Sequence, residues 1–145
     1  MEWILVLPLL LTILISSVLV WKVHTGSAMP HLSTAFIAVL VIIAAWSFFE
    51  ILFIHASTLG DKTLVDAFSY IPITLLPVAL FHFASLYSGR GSIIGSRRSY
   101  LLFIIPFATI ALAFTNGAHG LIWKEMSMTL TETGADVQRT YGTWF

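Results

Sequence analysis

Long apolar runs separated by short polar stretches make up most of this chain. No charged residue occurs in 3–21, 23–49, 67–89 or 99–123, uncharged stretches of 19, 27, 23 and 25 residues. A helix needs about 20 predominantly apolar residues to cross the hydrocarbon core of a bilayer. The pattern predicts an all-α membrane protein with four transmembrane helices, over residues 3–21, 34–54, 65–87 and 100–114. The first stretch is read as a retained helix and not a signal peptide. It starts Met1-Glu2-Trp3 without a basic residue, runs on to Trp21, and has no small-x-small site before Lys22.

The punctuation between the runs refines the picture. Trp3 and Trp21 flank the first span as interfacial anchors, and Pro8 lies near its start. Ser33 is expected to cap the second helix, whose Ala35, Ala38, Ala44, Ala45 and Ser47 permit close helix approach. Thr63-Leu64-Val65-Asp66 resembles a capping box for the third, with Thr63 as the cap. Pro72 and Pro77 interrupt the third run and predict a kink or local unwinding, and Pro106 predicts a bend in the fourth. Beyond residue 114 the character changes. Thr115-Asn116-Gly117 is a turn signal, residues 126–131 alternate, 133–136 read as a turn, and 137–141 return. This predicts a small extracytoplasmic β-hairpin within an outer tail, 115–145.

Composition reinforces the membrane reading. Hydrophobic residues make up 58% and charged ones 10%, and mean hydropathy is +0.93; soluble domains average about 45–50% and about 25%. The lipid bilayer is thus the first partner. A net charge of zero argues against nucleic acid. The chain has no cysteine, which removes disulfides, thiolate metal sites and cysteine nucleophiles. With four spans, the loops 22–32 and 88–99 share one side and carry Lys22, Arg90, Arg97 and Arg98 without an acid. The positive-inside rule places those loops in the cytoplasm, and the N-terminus and tail outside the cell membrane.

Few residues invite chemistry. Glu50 is an acid between apolar neighbours, and an ionisable residue in a span is a functional candidate. Its position near the end of the span, roughly 6 Å by helical rise, leaves simple headgroup contact as the rival reading. His82 lies inside the third span and is expected to hydrogen-bond a neighbouring helix, with proton sensing or ligand contact as alternatives. His24, His31 and His55 read as loop or interfacial residues. Trp46, Phe48, Phe49 and Phe53 form an aromatic cluster suited to packing. Asn116, His119 and Trp123 gather just beyond the fourth span, where a cavity mouth would lie; turn capping is the competing role for Asn116. No triad, phosphate loop, paired carboxylates or metal-ligand spacing is present, so neither an enzyme, a metal site nor a cofactor is expected.

The segment Leu101-Leu102-Phe103-Ile104-Ile105-Pro106 with Thr109, followed by Thr115-Asn116-Gly117-Ala118-His119-Gly120-Leu121-Ile122-Trp123, resembles a known family. It is similar to the N-terminal seven-helix membrane region of bacterial and archaeal sensor histidine kinases. Trp46, Glu50, Tyr70, Pro77, Tyr87-Ser88-Gly89 and Tyr141-Gly142-Thr143-Trp144-Phe145 add supporting matches across 34–145. The resemblance implies a sensory input module covering about the first four helices, hence a fragment of a longer chain. It further implies a cytoplasmic kinase or cyclase output domain on the same polypeptide, and a homodimer. No phosphoacceptor-histidine or ATP-binding glycine motif is present, so these residues are not themselves a kinase. Glu50, Tyr70, Asn116, His119 and Trp123 are the expected ligand-binding set, facing outward toward an unknown small ligand. The alternative is a small four-helix transporter or a subunit of a membrane complex. A small multidrug exporter would carry its carboxylate in the first span, and residues 3–21 hold none.

Overall fold

The computed structural model describes residues 2–26, 28–92, 94, 99–131 and 134–144. Arg97 and Arg98, two of the four basic residues used for topology, lie outside the described residues. Among the described residues four helices form: α1 (Glu2–Gly26), α2 (Pro30–His55), α3 (Leu59–Tyr87) and α4 (Ser99–Phe114). A short 3-10 turn at Asn116–Ala118 leads into β1 (Trp123–Thr131) and β2 (Gly134–Tyr141).

The helices are longer than their uncharged cores because the flanking polar residues continue the helical hydrogen bonding. Pro30 opens α2 at its first position, behind Met29, where proline lacks only an N–H that would be unpaired anyway. Ser33 is therefore not the cap. It lies inside the first turn and donates from Oγ to Met29 O at 2.7 Å. The predicted capping box is also displaced by five residues. Thr58 caps α3, its Oγ1 accepting from Asp61 N at 3.0 Å and donating to the Asp61 carboxylate at 2.7 Å. Thr63 and Asp66 are thus free to face other elements. α3 continues unbroken through Pro72 and Pro77, so the expected local unwinding does not occur.

Three helices, α1 to α3, are long and apolar enough to cross a membrane. α4 has 16 residues, about 24 Å at 1.5 Å per residue, against a hydrocarbon core of about 30 Å. The fourth predicted span is therefore a shorter apolar helix. Past Thr115, whose N–H and hydroxyl both still bond Ala111 O, the bonding tightens to i→i−3, with Ala118 N on Thr115 O and His119 N on Asn116 O, and the helix ends. α3, with 29 residues, is about 44 Å long and overshoots the same core.

Each helix packs on the next in sequence, and non-consecutive helices meet only marginally. The result is an open row. Small residues line its seams: Ser16 on α1 and Ala35 and Ser47 on α2 are buried. An aromatic chain ties the row together, Phe49 stacking on Phe68 at 5.9 Å and Phe68 meeting Phe114 edge-on at 5.0 Å. Trp3, Ile4, Tyr100, Leu101 and Ile105 are strongly exposed on the outer helices, an apolar surface suited to lipid.

A hairpin forms, but β1 starts earlier than predicted, at Trp123, and β2 already at Gly134, so that Gly134, Ala135 and Asp136, expected in the turn, pair with β1. β1 and β2 pair antiparallel, with a register shift between Trp123 and Glu125. That bulge decides which side chains face the helices. Strict alternation would turn Glu125 inward with Trp123; the extra residue, Lys124, shifts the parity so that Trp123, Met126 and Met128 turn inward.

Candidate functional site

The hairpin docks where α2 ends and α3 begins. Thr63, Asp66 and Tyr70 are spaced three and four apart on α3, which places them on one helix face. Each holds a different part of the hairpin. Thr63 Oγ1 lies 3.6 Å from Met126 Sδ. Asp66 forms a two-point ion pair with Arg139, Nη2 to Oδ1 at 3.2 Å and Nε to Oδ2 at 3.1 Å. The Tyr70 ring meets Trp123 edge-on at 5.4 Å, a favoured aromatic geometry. Between them, Ala67 belongs to a buried cluster with Tyr70, Ala113, Ile122 and Trp123.

Asn116 fixes the entry to the hairpin. Its Oδ1 accepts from the backbone N–H of Ile122 at 2.8 Å and of Trp123 at 3.1 Å. Its Nδ2 donates to Trp123 O at 2.8 Å. Ile122 and Trp123 are almost fully buried, so these backbone groups have no water to turn to. The side chain braces the turn, as its competing role anticipated. His119 continues the same loop. Its Nδ1 accepts from Leu121 N at 3.1 Å, which leaves Nε2 to donate to Thr115 Oγ1 at 3.0 Å. Downstream, Gly142 N bonds Ile122 O and Trp144 N bonds Leu121 O. Trp144 Nε1 donates to Thr109 Oγ1 at 3.0 Å, tying the chain back to α4. At Gly142 a Cβ would fall 2.1 Å from Leu121 O, so only glycine permits this approach.

Four of the five residues expected from sequence thus lie together: Tyr70, Asn116, His119 and Trp123. Glu50 sits apart on α2, where its Oε1 accepts from Trp46 Nε1 at 3.1 Å. It lies within electrostatic reach of Asp66, so two acids share this end of the helices. Lys62 and Arg139 flank them. Lys62 is 3% exposed, its Nζ donating to Phe53 O at 2.8 Å. Both cations lie over the Phe53 ring, at 4.5 Å and 4.8 Å. His82 lies far from this cluster in sequence, and among the described residues its buried Nδ1 has no hydrogen-bond partner. The expected interhelical bond from that atom is therefore not made.

Sequence reasoning missed Arg139 and Lys62, and gave Phe53 a packing role without its contact to either cation. A usable signal existed for the first: an acid at the start of an apolar run needs a cation, and Arg139 is the sole basic residue of β2. Beside the docked hairpin a groove of about 530 Å³ opens between the start of α3, the end of α4 and β1.

A family described as the N-terminal 7TM region of histidine kinase matches residues 4–145. Comparison with curated proteins and with solved structures gives no match. The family match covers nearly the whole chain, and the protein belongs to that family.

Proposed function

We propose that this member of the histidine-kinase 7TM family receives a stimulus at its hairpin end and passes it through α3 to a kinase or cyclase domain. That domain would lie in the cytoplasm on the same polypeptide, and the chain itself would carry out no chemistry. Lys22, Arg90, Arg97 and Arg98 support the orientation, with N-terminus and hairpin outside the cell membrane.

The observation that carries the reading is the grip of the hairpin on one face of α3, through Thr63, Asp66 and Tyr70. A module that lay loosely on the helices could not bias them. This one is joined to α3 by an ion pair, a buried aromatic contact and a thioether contact, and α3 then runs on to Tyr87 at the opposite end. A stimulus acts only through different affinity for two arrangements. Docked and partly released hairpin are such a pair, and Tyr70, Asn116, His119 and Trp123 lie at the joint. Glu50 would act through the charge balance around Asp66.

The test is autophosphorylation of the full-length kinase in membranes. Arg139→Gln, His119→Ala and Trp123→Ala should each change the basal level several-fold at equal membrane abundance. An unchanged level in all three would overturn the proposal.

A further inference from the structure

The groove beside the hairpin has a chemistry of its own. Leu64, Ala67, Phe114 and Met126 give it apolar walls. Its polar side chains are mostly committed to the fold: Thr63 Oγ1 donates to Leu59 O, and Asn116 braces β1. The charged side chain among the lining residues is Lys124. It is the extra residue of the bulge and is exposed, and it forms no ion pair among the described residues. A volume of about 530 Å³ falls within the roughly 300–1,000 Å³ of single-ligand pockets. The groove also lies at the start of α3, next to Asp61 and Lys62, the charged pair that precedes the long apolar run of this helix.

We infer that this groove binds a single-chain amphiphile with an anionic head group, of the long-chain fatty-acid type. The alkyl chain lies along the apolar walls, and the carboxylate meets Lys124 at the rim. The acid-free lining selects against cationic amphiphiles. Besides Lys124, the buried Nε1 of Trp123 is the lining side-chain donor without a hydrogen-bond partner among the described residues; two donors are too few for sugars and peptides, which would leave polar groups unpaired. The inference rests on the sensory reading for its consequence, since such a ligand would bear on the hairpin joint. The binding itself is measurable without it.

Two glycines make a clean test. At Gly60 an added Cβ meets Thr58 Oγ1 at 3.8 Å, an ordinary contact, and at Gly117 nothing lies within 4 Å. Both line the groove, so neither position blocks the first carbon of a side chain, and Gly60→Leu and Gly117→Leu should fill the groove; thermal unfolding equal to that of the wild type checks that the fold is kept. The chain, in nanodiscs of zwitterionic lipid, is labelled with a diazirine-bearing palmitate and the adducts are mapped. Adducts should concentrate on residues 59–67 and 113–126 and fall about tenfold in each leucine variant. Unlabelled palmitate should compete about two- to fivefold better than its methyl ester, and Lys124→Gln should abolish that difference. Adducts spread evenly over the lipid faces of α1 and α4, or leucine variants that label like the wild type, would overturn the site. Equal competition by acid and ester would overturn the head-group assignment. Either failure leaves the kinase test above standing. Groove labelling that holds while palmitate leaves autophosphorylation unchanged would instead count against the sensory consequence alone.

Discussion

Removing the Asp66–Arg139 pair should release the hairpin by a calculable amount. The two side chains are 14% and 27% exposed, between a buried and a surface pair. Breaking a fully buried pair by deleting one partner costs about 3–5 kcal/mol, and an exposed pair contributes about 0–1 kcal/mol. Asp66→Asn should therefore weaken docking by about 2 kcal/mol. Arg139→Gln also loses the contact with the Phe53 ring at 4.8 Å, which adds about 0.5–1 kcal/mol. The double variant should be no worse than Arg139→Gln, because both changes remove one interaction. The chain lacks cysteine, so Ile122→Cys supplies a single reporter thiol in the buried cluster under the hairpin, at a position outside the groove lining. Its rate of maleimide labelling follows the undocked population when opening is fast. At 1.4 kcal/mol per tenfold, labelling should accelerate about 30-fold in Asp66→Asn and about 100-fold in both other variants. Rates that multiply in the double variant, or three rates equal to the parent, would refute the coupling.

Three further outcomes follow from the same joint. Gly142→Ala should destabilise the tail by at least about 2 kcal/mol, because its Cβ would meet Leu121 O at 2.1 Å; Gly26→Ala, with nothing within 4 Å, should leave thermal stability unchanged. Asn116→Ala strips the partners from two buried N–H groups and should cost about 2–4 kcal/mol in thermal unfolding, whereas Asn116→Asp keeps the acceptor and should cost less. Trp123→Ala should cost about 3–5 kcal/mol, and Trp123→Phe much less, since a phenyl ring keeps the edge-on contact with Tyr70; circular dichroism melts of the two variants check this order.

Apolar run length was enough to read α1, α2 and α3 from the sequence, because bilayer thickness sets their length directly. Helix starts were harder. Thr58 and Thr63 each stand three residues before an aspartate, and local spacing cannot choose between two such candidates. The choice falls to tertiary structure, which needs Asp66 for Arg139. Strand alternation located the hairpin, but the bulge at Lys124 reversed its facing and hid Trp123 as a strand residue. Asn116, His119 and Trp123 were legible as a group because they are close in sequence. Arg139 and Lys62 were not, since their roles depend on Asp66 and Phe53, brought near only by folding.

The most direct test of coupling between hairpin and output uses the contact of Thr63 with Met126, 3.6 Å apart at Oγ1 and Sδ. Thr63→Cys and Met126→Cys are placed together in the full-length kinase carrying Arg139→Gln, and a short bis-methanethiosulfonate joins them, each thiol displacing one sulfinate to form a disulfide to the linker. The account predicts that cross-linking re-docks the hairpin and returns autophosphorylation to the level of the unmutated Arg139 protein. Output that stays at the Arg139→Gln level after cross-linking would show that the kinase does not follow hairpin docking, contradicting the account.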